Sequence, residues 1–291
     1  ADVFILLGEI GNSIEYLDSS LLYLKNDTNA IVDVVITKGE IYRKSGKYIE
    51  SEKNYKSLLS IFPMDSLISA KVYLGLGSME KRRGNYAKAI NLQFKALEIF
   101  SAKKDTNRLA SSYNQIAILF KVMQDYEKAI EYYNFAIEIN SRDSNTKFLS
   151  YNYNNLGNVY MQLKEYDSSI FYHKKSLEIK KKIKDVNSLG SSFLNLGEVY
   201  TYKGEFQNAY ECLKIAESYA NDLNNEISLS YAYLYLGKLF FYQKDLQKAK
   251  KYLIKSMKIS QNKSLKINIS EGAELLYQIY YLNDKYEQAL K

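Results

Sequence analysis

Apolar residues along this chain fall three and four positions apart within short blocks, and the blocks themselves return at a fixed interval. The segments "YNYNNLGNVYMQL" (151–163) and "YDSSIFYHKKSLEI" (166–179) each place their apolar positions on one helical face, so each predicts an amphipathic helix. The small residues Gly77, Ala117, Gly157, Gly197 and Gly237 follow one another at intervals of 40, and Gly39 precedes Gly77 by 38. An aromatic or aliphatic residue nine positions on keeps the same step, in Tyr86, Tyr126, Tyr166, Phe206 and Leu246. Three further comes a small residue again: Ala89, Ala129, Ser169, Ala209 and Ala249. Registers held in step over this length describe an array of repeated units.

Each unit reads as two helices. A short turn such as "KRRGN" or "TYKGE" parts them, with Gly84 or Gly204 suited to the positive φ of a helix end. Longer connections rich in Asp and Asn ("KKDTN", "SRDSN", "NDLNN") end the second helix and supply caps for the next. Pro63 falls where the period breaks, after Phe62, and is expected to stop a helix there. No stretch alternates with a period of two. A small residue in each helix of a pair allows close approach, and Tyr160, Tyr200 and Phe240 are expected to fill the space between neighbouring pairs. Because no pair can bury both of its faces, stability must come from stacking. The expectation is an all-α right-handed superhelix of about seven helix pairs, with units starting near residues 32, 70, 110, 150, 190, 230 and 270. Residues 1–31 read as an irregular leading pair, and the last unit as incomplete.

The pattern Leu-Gly-x-x-Tyr, then Gly-x-Tyr-x-x-Ala, then Ala-Leu resembles the tetratricopeptide repeat. It is fullest in "YLGLGSMEKRRGNYAKAINLQFKAL" and "FLNLGEVYTYKGEFQNAY" and extends from about residue 32 to the end. Tyr277 stands where the last unit should have its glycine, and Lys38 where the first should have leucine. The 40-residue length is similar to that of Pins-type adaptors and of the sensor arrays in bacterial kinases or transcriptional regulators. The resemblance implies a protein- or peptide-binding module in which the first helix of each pair lines a concave groove.

Composition adds constraints. Lys and Arg number 40 against 33 Asp and Glu, a mildly basic balance, and a single cysteine, Cys212, rules out an intramolecular disulfide. No apolar run reaches the roughly 18–20 residues a membrane-spanning helix needs. The chain starts with Ala1 rather than Met and shows no signal peptide, which suggests processing or trimming; the ragged last unit suggests that the natural protein continues past Lys291. The compartment, cytoplasm or periplasm, stays open.

Candidate chemistry is thin. With one histidine, His173, neither a hydrolytic triad nor a two-histidine metal site can be assembled. His173 is expected to be structural or solvent-facing, on a helix turned to the convex side or the next repeat. Cys212 reads as a small buried hydrophobe. Gly75 and Gly77 lie inside a helix and make no phosphate loop, and the pair Glu271 and Glu274 has nothing beside it to raise a pKa. No catalytic residue, metal ligand or cofactor is assigned. The run "KKSLEIKKKIKD" ending at Asp185 reads as a solvated helix end. The chain has neither a helix-turn-helix nor a basic stripe running through the repeats, which argues against nucleic acid.

Projecting the groove stripe onto the first helices gives a face that changes along the array. Arg43, Lys44, Lys71, Lys81 and Arg82 make its early part basic and suited to a ligand with an acidic segment. Asn114, Tyr151, Asn154, Asn158 and Asn195 make the middle rich in amides, which can pair with the backbone of an extended peptide. Tyr202, Tyr231, Tyr235 and Lys238 follow, the tyrosines offering contact area at small entropic cost. The reading is a sensor or scaffold that binds a peptide segment in its groove. The alternative is a structural adaptor that self-associates through its convex face or ends.

Overall fold

The computed structural model describes residues 10–24 and 27–282, and those residues form fourteen α-helices with no strand among them. A first helix, α1 (Ile10–Tyr23), precedes six helix pairs. The pairs are α2 (Thr28–Lys44) with α3 (Tyr48–Ile61), α4 (Ser66–Arg82) with α5 (Tyr86–Ala102), and α6 (Thr106–Val122) with α7 (Tyr126–Arg142). Then come α8 (Thr146–Gln162) with α9 (Tyr166–Lys182), α10 (Val186–Lys203) with α11 (Phe206–Asp222), and α12 (Glu226–Tyr242) with α13 (Leu246–Asn262). Helix α14 (Lys266–Leu282) opens a further pair. The rest of the expected leading pair, and the second helix of the last one, lie outside the described residues.

The chain divides between Asp143 and Ser144 into two compact units. In the N-terminal unit the core is built on Val32, Val35, Leu58, Ile68, Val72 and Met79. In the C-terminal unit it runs through Leu189, Leu196, Val199, Leu213, Leu236 and Leu253.

The local signals act as the residue types dictate. Asp27, Asp65 and Asp105 accept hydrogen bonds from the backbone N–H groups of Ala30, Ile68 and Arg108 at 3.0, 3.0 and 3.1 Å, capping α2, α4 and α6. Helix α3 stops at Ile61, just ahead of Pro63. Gly84 and Gly204 take φ of 81° and 84° at the turns inside their pairs. At the same place in other pairs stand Gln124, Lys164 and Lys244, at φ between 60° and 63°.

The small residues sit at close contacts. A Cβ on Gly157 would lie 2.9 Å from the His173 ring, and one on Gly197 or Gly237 would lie 2.5 or 2.6 Å from Leu213 or Leu253. Ser51 and Ser169, at the small position of the second helix, donate to the carbonyls of Gly39 and Gly157, both at 2.8 Å. The large aromatics pack differently from the sequence expectation: they stack first within their own pair. Phe120 faces Tyr132, Tyr160 faces Tyr172 and Phe240 faces Tyr252, at 5.4, 5.3 and 5.5 Å between centroids. Forty residues from Tyr172 and from Tyr252 stands Cys212, so Tyr200 has no ring opposite it in its own pair and lies instead under the Lys174 ammonium of the preceding one. Cys212 is half-buried, and burial pushes its thiol up to about 11, which keeps it unreactive.

Candidate functional site

The first helices of the C-terminal unit, α8, α10, α12 and α14, share a cleft of about 690 Å³ whose walls include Met161, Glu198, Tyr202, Lys238, Tyr242 and Glu271. At its centre the Lys238 ammonium lies 3.7 Å from the Glu198 carboxylate on α10 and bonds the Glu271 carboxylate on α14. Its charge also lies 5.1 Å from the centre of the Tyr235 ring, and the Tyr235 hydroxyl donates to Glu198. Two carboxylates therefore share one ammonium. Burial pushes the Glu198 carboxyl above its ordinary range, and Lys238 only partly offsets this. Burial would pull Lys238 down, but its bond to Glu271 and the charge of Glu198 hold it above its usual value. Burial, with Glu198 next, also pushes the Tyr235 phenol strongly up.

The amides predicted for the middle of the groove lie on α8 and α10. Asn195 donates to the Asn154 side chain at 2.9 Å, tying the two helices together. Asn158, one turn from Asn154, is half-buried and makes no hydrogen bond to another described residue. Tyr151 packs edge-on to Phe148 at 6.2 Å. Tyr202 packs edge-on to Tyr242 at 5.5 Å, and Tyr231 is tilted against Tyr235 at 6.4 Å. Asn114, on α6, belongs to the N-terminal unit, where it is half-buried.

That unit holds the predicted basic residues, and they sort into three kinds. Lys71 is neutralised by Asp33 at 3.2 Å. Lys44 and Arg82 are exposed. Arg43 and Lys81 lie on the first-helix face, and burial, then the charges of Arg43, Arg82 and Lys121, hold the Lys81 ammonium below its usual value. Lys121 lies 40 positions beyond Lys81 and is likewise held down by burial.

His173 takes the structural one of its two expected roles, but not on the side expected. It is fully buried inside its own pair, against Gly157, and faces neither solvent nor the next repeat. Burial, with Lys180 adding repulsion, lowers its pKa to about 3, and both ring nitrogens lack a hydrogen-bond partner. Lys180 is not solvated either: it is 3% exposed and bonds the Ser192 hydroxyl at 2.8 Å. The run it belongs to is therefore not a uniform surface strip.

Glu198, Glu271 and Lys121 fall on the projected groove stripe but were not chosen as site residues. Opposite charges 40 residues apart in one register, Glu198 and Lys238, were the signal available for the ion cluster. Among the described residues no group of histidine, cysteine or carboxylate side chains is arranged to hold a metal ion, and no helix is long and apolar enough to cross a membrane.

A tetratricopeptide repeat model matches residues 68–142, 108–182 and 148–218, together more than half of the chain. The chain belongs to the tetratricopeptide repeat family. No curated protein matches its sequence. Among solved structures, this tetratricopeptide array is similar to BtubC (BKLC) from P. vanneervenii, at 24% identity and a TM-score of 0.65 over 75% of this chain and 91% of that one. A Rap protein complexed with Competence and Sporulation Factor is 16% identical, with a TM-score of 0.66 over 90% of this chain and 72% of that one. A STAND signal-transduction ATPase with a tetratricopeptide repeat sensor, from Pyrococcus horikoshii, is 18% identical, with a TM-score of 0.73 over 90% of this chain and 41% of that one. At these identities the likeness is one of fold. Tetratricopeptide folds serve in general as non-catalytic scaffolds for protein interaction.

Proposed function

We propose that this array is a non-enzymatic module that binds a peptide or protein segment along its first-helix face, as the sensor or scaffold part of a regulatory protein. The cleft over α8, α10, α12 and α14 carries this reading, because it draws one continuous lining from four first helices. Amides and phenols on such a lining fit an extended chain: Asn158 has an uncommitted amide, and Tyr202, Tyr231 and Tyr242 offer rigid contact area. The Rap complex with Competence and Sporulation Factor, built on the same fold, supports a ligand-binding use, and the repeat sensor of the STAND protein supports a regulatory setting.

The test compares Asn158→Ala with Asn154→Ala. A peptide is first selected from a displayed library on the whole chain, and its affinity and the melting temperature are then measured for both variants. Asn158→Ala is expected to weaken binding by roughly 0.5–1.5 kcal/mol with little change in melting. Asn154→Ala should affect both, because it also removes the bond to Asn195. If Asn158→Ala lowers the melting temperature while affinity holds, the amide belongs to the scaffold and the reading fails.

A further inference from the structure

The exposed sides of the second helices differ most at two registers seven residues apart. Helix α7, in the N-terminal unit, places Glu131 and Glu138 there, and α13, in the C-terminal unit, places Lys251 and Lys258 at the same two registers three 40-residue repeats further on. All four side chains are exposed. On α3, α5, α9 and α11 each of these pairs of positions holds one charged residue (Lys53, Glu98, Glu178 and Glu211) beside a neutral one. Among the described second helices, then, only α7 and α13 carry one sign of charge at both positions, and their signs are opposite.

Between its two charges each helix exposes a large apolar side chain, Phe135 on α7 and Ile254 on α13, at 39% and 48%. Phe135 is backed by the Tyr113 and Tyr132 rings, at 5.2 and 5.9 Å between centroids. Helix α13 has five lysines and no acidic residue. Three of them are engaged: Lys248 pairs with Asp245, Lys250 lies 4.6 Å from the centre of the Tyr280 ring, and Lys255 lies 5.1 Å from that of Tyr233. Lys251 and Lys258 have neither a carboxylate nor a ring as partner among the described residues. On α7, Glu131 likewise forms no ion pair there, and Glu138 has only an exposed pair with Arg142 one turn away, of the kind that contributes little.

We infer that α7 of one copy of this chain docks on α13 of a second copy, with the two helices antiparallel. Lys251 then meets Glu138, Ile254 meets Phe135 and Lys258 meets Glu131. Seven residues span about 10.5 Å on either helix, so both ion pairs close at once around the apolar contact. An apolar centre with a charged rim is how protein interfaces are built. The partner is a second copy because the chain's own α7 answers α13 in both sign and spacing. Each copy carries both faces, so the contact is heterologous and one copy can engage two others. Two exposed ion pairs and one apolar contact make it weak, formed at high protein concentration and low salt. The contact uses second helices alone and leaves the cleft of the first helices open, so it stands apart from the peptide-binding reading.

The experiment is sedimentation velocity on the whole chain over a concentration series, with no peptide added. The average mass should rise with concentration at low salt and fall back as salt is added. Two doubly charge-reversed chains, Glu131→Lys with Glu138→Lys and Lys251→Glu with Lys258→Glu, should each associate about tenfold or more weakly than the parent, with unchanged melting temperature. Mixing these two chains should restore association, because each still has the face that the other has lost. Lys181→Glu with Lys182→Glu, on α9, makes the same change in net charge as the α13 variant and should associate like the parent. The inference is overturned by a chain that stays monomeric throughout, including one whose α13 lysines instead bind phosphatidylserine vesicles. Parent-like association of either reversed chain, a mixture that does not recover, or an equal loss in the α9 variant overturns it as well.

Discussion

In the N-terminal unit the second helices present Tyr55, Gln93 and Tyr133 at the register that meets the small residue of the first helix; in the C-terminal unit the same register reads His173, Leu213 and Leu253. The backbone geometry is common to both, so the slot is set by the small residue opposite and accepts a phenol, an amide, an imidazole or an aliphatic chain. What differs is the polar tip. The Tyr55 and Tyr133 hydroxyls, Gln93 Oε1 and both His173 nitrogens are buried without partners, and the two leucines leave nothing unpaired. Unpaired buried polar groups cost about 1–3 kcal/mol each, so this register holds a reserve of instability that shrinks along the chain.

The slot itself gives the largest expected effect. Gly157→Leu and Gly197→Leu should each cost about 3 kcal/mol, read by urea unfolding, because the added carbons would enter the His173 ring or the Leu213 side chain. Adding His173→Ala to Gly157→Ala should recover much of the single-variant loss. Strict additivity of the two would show that these residues do not share a contact.

His173→Leu makes the C-terminal register uniform, and its effect should depend on pH. The imidazole is pulled from 6.5 to about 3, so the unfolded chain takes up a proton that the folded chain refuses. Stability is therefore intact above about pH 6.5 and lost as pH falls toward 3. The advantage of His173→Leu over the parent should widen by about 2 kcal/mol between pH 8 and pH 5. Leu213→His should impose the same slope, and a parallel pair of stability curves for His173→Leu and the parent would contradict the burial of this ring.

Lys180 tests the same idea at the next register, where Phe100, Asn140, Ala220 and Ser260 stand in other pairs. Its ammonium is held low by burial, which the charge of Asp185 only partly offsets, so folding at neutral pH works against its charge, and among the described residues it is hydrogen-bonded to the Ser192 hydroxyl. Lys180→Met is expected to raise stability by about 1 kcal/mol, measured by chemical denaturation. A loss instead would mean that the Ser192 bond outweighs the burial cost.

The smallest effect lies in the turns. Lys164 and Gly204 occupy equivalent left-handed positions, at φ of 60° and 84°. Exchanging them, Lys164→Gly and Gly204→Lys, should shift stability up and down respectively by roughly 1 kcal/mol or less in thermal melts.

Helices, pairing and family were legible in the sequence because each depends on periodicity, which survives in any register-keeping chain. Gly157 and Gly197 were read correctly as sites of close approach, since size alone decides them. Lys180 was misread because a lysine-rich run suggested solvent, and His173 was read as structural or solvent-facing without that choice being made; their registers, shared with Ala220 and Leu213, required burial. The groove residues were legible only as a stripe. Which members pair with each other depends on side-chain reach: Lys71 turns to Asp33, and Lys238 joins Glu198 to Glu271, choices no spacing rule reports.

The Lys238 cluster also has a mechanical meaning. A stack of helix pairs opens or tightens on one side by small changes in the separation of its first helices, and apolar packing resists such changes weakly and without direction. An ammonium held by carboxylates from the helices on either side acts as a tie with a preferred length, so that spreading α10 from α12, or α12 from α14, strains a specific bond. The C-terminal unit thus carries a tie across three successive first helices, short and direct between α12 and α14 and longer between α10 and α12.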